Sequence, residues 1–278
     1  MDQEQAWAYA DQADALLRKE TEIPAVHFEL TDSEPDLFTS KIGGIPYLPH
    51  DAQIPLDSSG RQMKLLAQFD CKLLADLPDY PHEGMLQFWL TVQYPWQEWH
   101  VTYHSQTDRT VTAEEVLAKT APFIEGETGA FPVIDGGYGI KAEYCTESMG
   151  PCDERYGALM CKYLNDLSEG RVIREWTDLG DLFDPNSGES GGHKLGGYQY
   201  DPQSWLSFRY EPDFDAKLGA EDEWLLLFQL EYDHSLGRNW REGAKVVIGD
   251  CGVMHFFIQR SDLKARAFDK TDFNWNCS

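Results

Sequence analysis

Two stretches decide how this fold is predicted: K-I-G-G-I-P-Y-L-P at residues 41–49 and K-L-G-G-Y-Q-Y-D-P at residues 194–202. The lysine, both glycines, one tyrosine and the final proline coincide without a gap. Similarity within one chain indicates that a structural unit occurs more than once.

Two more pairs of segments match in the same order along the chain. L-L-A-Q-F-D at residues 65–70 matches L-L-F-Q-L-E at 226–231, and G-M-L-Q-F-W-L at 84–90 matches G-V-M-H-F-F-I at 252–258. We predict an internal duplication around a pseudo-twofold axis, with halves at about 22–110 and 185–278 and a helical insert between them. Because each half supplies only a few strands, the two should share one core in a single domain, residues 1–278.

Periodicity predicts a mixture of helices and mainly antiparallel strands. Helical spacing of apolar residues covers 2–20, 112–120 and 154–167, and glycine and proline predict loops at 41–60 and 184–197. Strands are predicted at 25–30, 64–70, 85–94, 100–105, 224–232, 246–248 and 253–259. Since helices and strands do not alternate regularly, the predicted fold class is α+β.

The net charge of the chain limits the classes of partner that it is expected to bind. A formal net charge of -25 opposes binding to nucleic acid phosphates and to anionic membrane surfaces. It favours either plain solubility or a basic protein partner. The acidic residues concentrate at 143–189 and 211–233, where such a partner would bind.

The expected compartment is the cytoplasm. The first residues lack the basic and apolar regions of a secretory signal, and no apolar run approaches the length of a membrane span. Six cysteines form no C-x-x-C pair, so we predict free thiols rather than a disulfide framework. We expect a monomer or a weak homo-oligomer.

The two K-x-G-G stretches also supply the candidate binding residues. Adjacent glycines permit positive φ, and their N–H groups can cradle an anion beside a lysine. The predicted ligand-binding residues are Lys41, Gly43, Gly44, His193, Lys194, Gly196 and Gly197. The alternative is that each glycine pair only forms a tight turn that the fold requires.

Two glutamines inside apolar strands complete the candidate site. Gln68 and Gln229 would line a pocket between the two halves, or their amides would hold neighbouring backbone. His100 and His104 share a strand face, but zinc needs a third ligand, so no metal site is predicted. No catalytic residues and no cofactor are assigned, because nucleotide-binding and metalloprotease motifs are not found in the sequence.

The landmarks of the chain resemble those of the YwqG-like family of uncharacterised bacterial proteins. The resemblance is carried by residues 40–49, 65–70, 84–88, 193–198, 249–252 and 256–258. It implies an α+β domain of unknown function with an internal duplication. Some members lie near polymorphic toxin genes, which implies an immunity or interaction role by association.

Three functions remain open from the sequence. The leading hypothesis is a non-enzymatic, acidic protein-interaction module of an immunity or regulatory type. The second is a small-ligand-binding protein or enzyme with its site between the two halves. The third is a self-assembling structural protein that associates through exposed aromatic residues.

Overall fold

One antiparallel sheet organises the chain, in a computed structural model that describes residues 3–121, 134, 136–153, 155–168, 191–200, 220–233, 245–249 and 251–277. Its ten strands are β1 (Ile23–Thr31), β2 (Lys41–Gly43), β3 (Lys64–Asp70), β4 (Met85–Leu90), β5 (Trp99–His104), β6 (Gly137–Glu147), β7 (His193–Gly196), β8 (Trp224–Glu231), β9 (Val253–Gln259) and β10 (Asp272–Asn276). The order across the sheet is β10-β9-β8-β7-β1-β6-β2-β3-β4-β5, and all these neighbours are antiparallel.

The centre of the sheet is the long pairing of β1 with β6, which runs from Ile23 opposite Glu147 to Thr31 opposite Gly139. A run of four strands extends from each side of this pair. On both sides the second strand of the run contains a β-bulge, between Leu65 and Ala67 in β3 and between Leu226 and Phe228 in β8. Bulges bend and twist the bulged strand, so both halves of the sheet curve at a corresponding place.

The sheet rolls around an aromatic core. Side chains of alternate residues on neighbouring strands meet inside it, as the two-residue period of a strand requires. The largest rings of this core are fully or almost fully buried, with Phe228 centred 4.7 Å from Phe88 and 5.2 Å from Phe69. The ring of Phe256 lies 4.9 Å from that of Phe88. Burial of aromatic area of this kind supplies most of the stabilisation of a core.

The two outer strands, β5 and β10, face each other across the closing gap of the sheet. The indole N–H of Trp99 donates to the carbonyl of Thr271 at 3.2 Å, and the indole N–H of Trp275 donates to that of Pro95 at 2.9 Å. The rings of Trp99 and Phe273 lie 5.6 Å apart. The sheet is thus nearly closed by side chains rather than by a further backbone ladder.

Helices cover parts of the outer surface. They are α1 (Gln3–Glu20), α2 (Ala113–Lys119), α3 (Arg155–Leu167) and α4 (Arg260–Ala265). α1 and α3 pack together through Ala13, Leu17, Tyr156, Met160 and Leu164. No helix in the described ranges combines the length and the hydropathy that crossing a membrane would require.

Most of the predicted elements are confirmed, and α2 begins at a helix cap in which the Thr112 hydroxyl accepts from Glu115 N–H at 3.3 Å. The predicted loop at 184–197 is wrong in part, since residues 193–196 form β7 against β1. The strand predicted at 246–248 is also wrong: Val246 makes only an isolated bridge to Ile134. The segment predicted as a helical insert contains the central strand β6.

Candidate functional site

The two K-x-G-G stretches adopt the same backbone at the end of a short strand. Gly43 and Gly44 have φ of 66° and 73°, and Gly196 and Gly197 have φ of 69° and 70°. Residues with a Cβ rarely adopt such φ angles, so glycine is required at both turns. The turn after β2 is called here the first turn, residues 41–45, and the turn after β7 the second turn, residues 194–198.

The lysine of each turn lies opposite a glutamine of the next strand. Lys41 pairs in register with Gln68, and Lys194 with Gln229. Strand register then continues from Gln68 to Gln87 and from Gln229 to His255. Both glutamines, predicted to be candidate ligand-binding residues, are therefore fully buried inside the sheet beside the turns.

The amide of Gln68 holds the chain that follows the first turn. Its Oε1 accepts from Tyr47 N–H at 2.7 Å, while Gln87 Nε2 donates to the Tyr47 carbonyl at the same distance. Equivalent contacts hold the chain that follows the second turn. Gln229 Oε1 accepts from Tyr200 N–H at 2.8 Å, and His255 Nε2 contacts the Tyr200 carbonyl at 2.9 Å. These contacts satisfy buried amides with backbone partners, which is the structural alternative for both glutamines.

The two lysines differ in what their amino groups contact. Lys194 is fully buried, and its Nζ lies 2.9 Å from each carboxylate oxygen of Glu147, at the end of β6. Nζ also donates to the carbonyl of Tyr198. Burial by itself raises the pKa of Glu147, but bonds from His27, Lys194 and Tyr198 N–H outweigh it and hold that pKa below its usual range.

Lys41 is equally buried, at 1% exposure, but pairs with no carboxylate of the described chain. Its Nζ donates to the carbonyls of Asp36 at 2.8 Å and Leu37 at 3.4 Å. The Asp36 carboxylate is itself engaged by the N–H groups of Phe38 and Thr39, at 2.7 and 2.9 Å. Burial lowers the pKa of Lys41 to about 8, against a smaller opposing effect of the Asp36 charge.

A cavity of about 1000 Å³ opens beside the first turn. Its wall includes Lys41, Gly43 and Gly44, and Gly136 and Gly137 of the β6 entry complete the rim. The rest is largely apolar, formed by Ile54, Met63, Leu65 and Trp89, with Glu34, Asp36 and Lys64 as further charged members. An apolar cavity with a few convergent polar groups is typical of a small-molecule binding site.

The predicted site residues divide between two places. Lys41, Gly43 and Gly44 line the cavity. Among the described residues, Gln68, Gln229 and the residues of the second turn are not part of its wall. His193 accepts from Glu231 N–H at 3.1 Å and stacks on Phe28. Gly196 packs against the Pro24 carbonyl and Leu77. Sequence reasoning missed Glu147 and Trp89, because nothing in the local sequence connects them to either turn.

The predicted histidine pair makes ordinary contacts. His104 Nε2 lies 3.1 Å from Gln87 Oε1, and His100 is exposed on β5. Within the ranges that the structure describes, no group of three or more His, Cys, Asp or Glu residues is placed to hold a metal ion.

A family model matches residues 40–277, which span both turns and every strand except β1. Its description is a domain of unknown function, DUF1963. This chain belongs to the DUF1963 family. No curated protein matches the sequence. Within this DUF1963 protein, α1 and β1 precede the matched region, and β1 nonetheless supplies the central pairing of the sheet and His27 beside Glu147.

Replacing Lys41 with methionine is expected to keep or raise the stability of the DUF1963 protein at pH 7. A fall of the pKa from about 10.5 to about 8 means that the charged amine opposes folding by roughly 3 kcal/mol below pH 8. Between pH 8 and pH 10.5 the Lys41 amine is protonated in the unfolded chain but largely neutral in the folded one, so the stability of the wild type should rise with pH over this range. In Lys41→Met this rise should disappear.

Urea unfolding at pH 7 and pH 9.5 measures this difference. The substitution also removes the hydrogen bonds from Lys41 to the carbonyls of Asp36 and Leu37, which offsets part of the gain in stability. This loss is small, because the Leu37 carbonyl still accepts from the Gln68 amide at 3.0 Å and Asp36 is exposed to water. A loss of more than about 1 kcal/mol in Lys41→Met at pH 7 would contradict the expectation.

Proposed function

We propose that this protein binds a small molecule in the cavity beside the first turn. The observation that carries the proposal is the buried amine of Lys41, which pairs with no carboxylate among the described residues, at the wall of a cavity of about 1000 Å³. A buried charge without a counterion is costly, and a ligand that neutralises it recovers that cost. The site proposed here belongs to one half rather than to the space between the two.

The proposed site takes its shape from a duplication of the strand unit around a pseudo-twofold axis. Support comes from the equivalent bulges in β3 and β8, the equal φ angles of the glycine pairs and the Lys–Gln register beside each turn. On this proposal the halves at about 22–110 and 185–278 share one core in a single YwqG-like domain. One copy of the turn then carries the ligand site and the other is structural.

An anionic apolar dye tests the cavity directly. We expect 8-anilinonaphthalene-1-sulfonate to bind the folded protein saturably, because its rings match the apolar wall and its sulfonate matches Lys41. Ile45 lies at the cavity wall and is half-buried, so Ile45→Arg should fill the space and weaken the dye at least tenfold.

Leu56→Arg is the matched control for this experiment. Leu56 is 58% exposed and is not part of the cavity wall, so the same substitution there should leave dye affinity unchanged. Thermal unfolding of both variants establishes that each is folded. Equal dye binding by wild type and folded Ile45→Arg would show that the cavity is not the binding site.

A second candidate is an immunity-type or regulatory protein that binds a basic partner. The net charge of -25 favours it, through steering and charge complementarity. The acidic stretches at 143–189 and 211–233 lie only in part within the described residues. Such a partner would be released by salt and would be indifferent to Ile45→Arg, which separates the two candidates.

A further inference from the structure

The second turn forms a complete carboxylate-binding site, which is occupied by the side chain of Glu147. Both carboxylate oxygens lie 2.9 Å from Lys194 Nζ, and Oε2 also accepts from Tyr198 N–H at 2.7 Å. The carboxylate rests against Gly197, where a Cβ would overlap it. Charge-assisted bonds from a lysine and a backbone N–H are among the strongest that a carboxylate receives.

The first turn has the same glycine backbone and a lysine at the same position, but no carboxylate of the described chain lies against it. The glycine φ angles agree within a few degrees, and Lys41 and Ile45 stand where Lys194 and Tyr198 stand in the second turn. Ile45 N–H makes no hydrogen bond to another described residue, and Lys41 Nζ spends its bonds on two carbonyls, one of them at 3.4 Å. An ammonium has three donors, so one remains for a ligand.

No carboxylate of the described chain lies against Gly44 in the first turn, whereas Glu147 lies against Gly197 in the second. A Cβ on Gly44 would meet Gly137 Cα at 3.2 Å and Lys41 Cδ at 4.0 Å, and no carboxylate. Gly44 is exposed while Gly197 is buried. The Asp36 carboxylate, the nearest acid along the chain, is already held by two backbone N–H groups. The chain therefore supplies no side chain of its own for this place among the described residues.

We infer that the first turn binds the carboxylate group of an external small molecule, with Lys41 Nζ and Ile45 N–H as donors. This inference rests on the proposed function and specifies the chemical class of its ligand. The apolar wall of Ile54, Met63, Leu65 and Trp89 suits a hydrocarbon or aromatic body. Two carboxylates, Glu34 and Asp36, line the same cavity against one further lysine, Lys64, and disfavour a second negative charge on the ligand, so the ligand is a monocarboxylate.

Competition against the bound dye tests the ligand class. The probes are n-alkanoates of four to ten carbons and 3-phenylpropionate, each paired with its neutral primary amide. We expect at least one acid to displace the dye and to bind at least tenfold more tightly than its amide. The amide keeps the shape of the acid but removes its charge, so the ratio isolates the carboxylate.

Gly44→Ala tests the position of the carboxylate. The new methyl group occupies the place that Glu147 takes at the second turn, so acid binding should weaken at least tenfold while the Lys41 amine remains. Gly60→Ala is the matched control, because Gly60 has φ of 81° with nothing within 4 Å and does not line the cavity. It carries a comparable backbone strain and should leave acid binding unchanged.

The outcomes separate this inference from the proposed function. If the dye binds in the cavity but amides compete as well as acids, or no acid competes, the carboxylate inference is overturned and the cavity stands. Acid binding that survives in folded Gly44→Ala also overturns it. If Ile45→Arg leaves dye binding intact, the proposed function itself has failed.

Discussion

Lys194→Met is expected to destabilise the protein by about 3–5 kcal/mol, the usual loss when one member of a buried ion pair is removed. Glu147 is 8% exposed and would keep its charge in the sheet with only His27 and Tyr198 N–H as partners. Its pKa, held low in the wild type, should rise above the ordinary value of a glutamate.

This reversal gives the variant a distinctive dependence on pH. In the wild type the lowered pKa of Glu147 contributes stability above the unfolded value near 4.5, and this is lost as pH falls through the folded pKa. In Lys194→Met the folded pKa lies above the unfolded one, so the deficit should grow as pH rises from 5 to 8. Urea unfolding across that range measures it.

Two controls accompany this prediction. Adding Glu147→Gln to Lys194→Met removes the stranded charge and should recover at least half of the loss, since replacing both members of a buried pair is often nearly neutral. Lys264→Met breaks the exposed pair with Glu221 and should cost under about 1 kcal/mol. Equal losses in Lys194→Met and Lys264→Met would contradict a structural role for the Glu147 contact.

Phe228→Ala is expected to cost about 3–5 kcal/mol, the range measured for large-to-small changes in well-packed cores. Phe228 is fully buried, and its ring lies between 4.7 and 6.4 Å from those of Phe28, Phe69, Phe88 and Phe256. These rings come from β1 and from strands on both sides of the central pair, so the cavity left behind would be walled by several elements and could not collapse easily.

Chemical denaturation of Phe228→Ala checks the expectation through the midpoint and slope of the transition. Leu117→Ala, on α2 with 52% of its surface exposed, is the control and should change stability by less than about 0.5 kcal/mol. A loss below about 1 kcal/mol for Phe228→Ala would contradict a close-packed aromatic core around this ring.

Elements with a strong local pattern were predictable from sequence. The helical period of α1 and the continuous apolar run of β3 give each element within a residue of its observed bounds. β6 was missed because its residues are mostly partly buried or exposed, and its extended form is decided by pairing with β1 and β2. β10 was missed because three of its four buried residues are the polar Asp272, Asn274 and Asn276, so the strand contains no apolar run.

The candidate site was predictable only in part: the sequence located the two turns but did not show which of them lies beside a cavity. Self-similarity located both turns and their lysines, because lysine and glycine have to recur at fixed positions for the turn to form. It could not distinguish them, since the difference lies in Glu147, which is 47 residues from Lys194 in sequence and meets it only through the strand order. Long-range contacts of this kind leave no periodic trace in the sequence.

The side-chain closure between β5 and β10 also bears on how this protein behaves at high concentration. Strand edges with free N–H and C=O groups recruit other chains and seed aggregates. Here the two terminal strands turn toward each other, and the indoles of Trp99 and Trp275 occupy carbonyls next to them. A sheet of ten strands thus exposes little template for intermolecular pairing, and damage to either tryptophan should make the protein prone to aggregate before it unfolds.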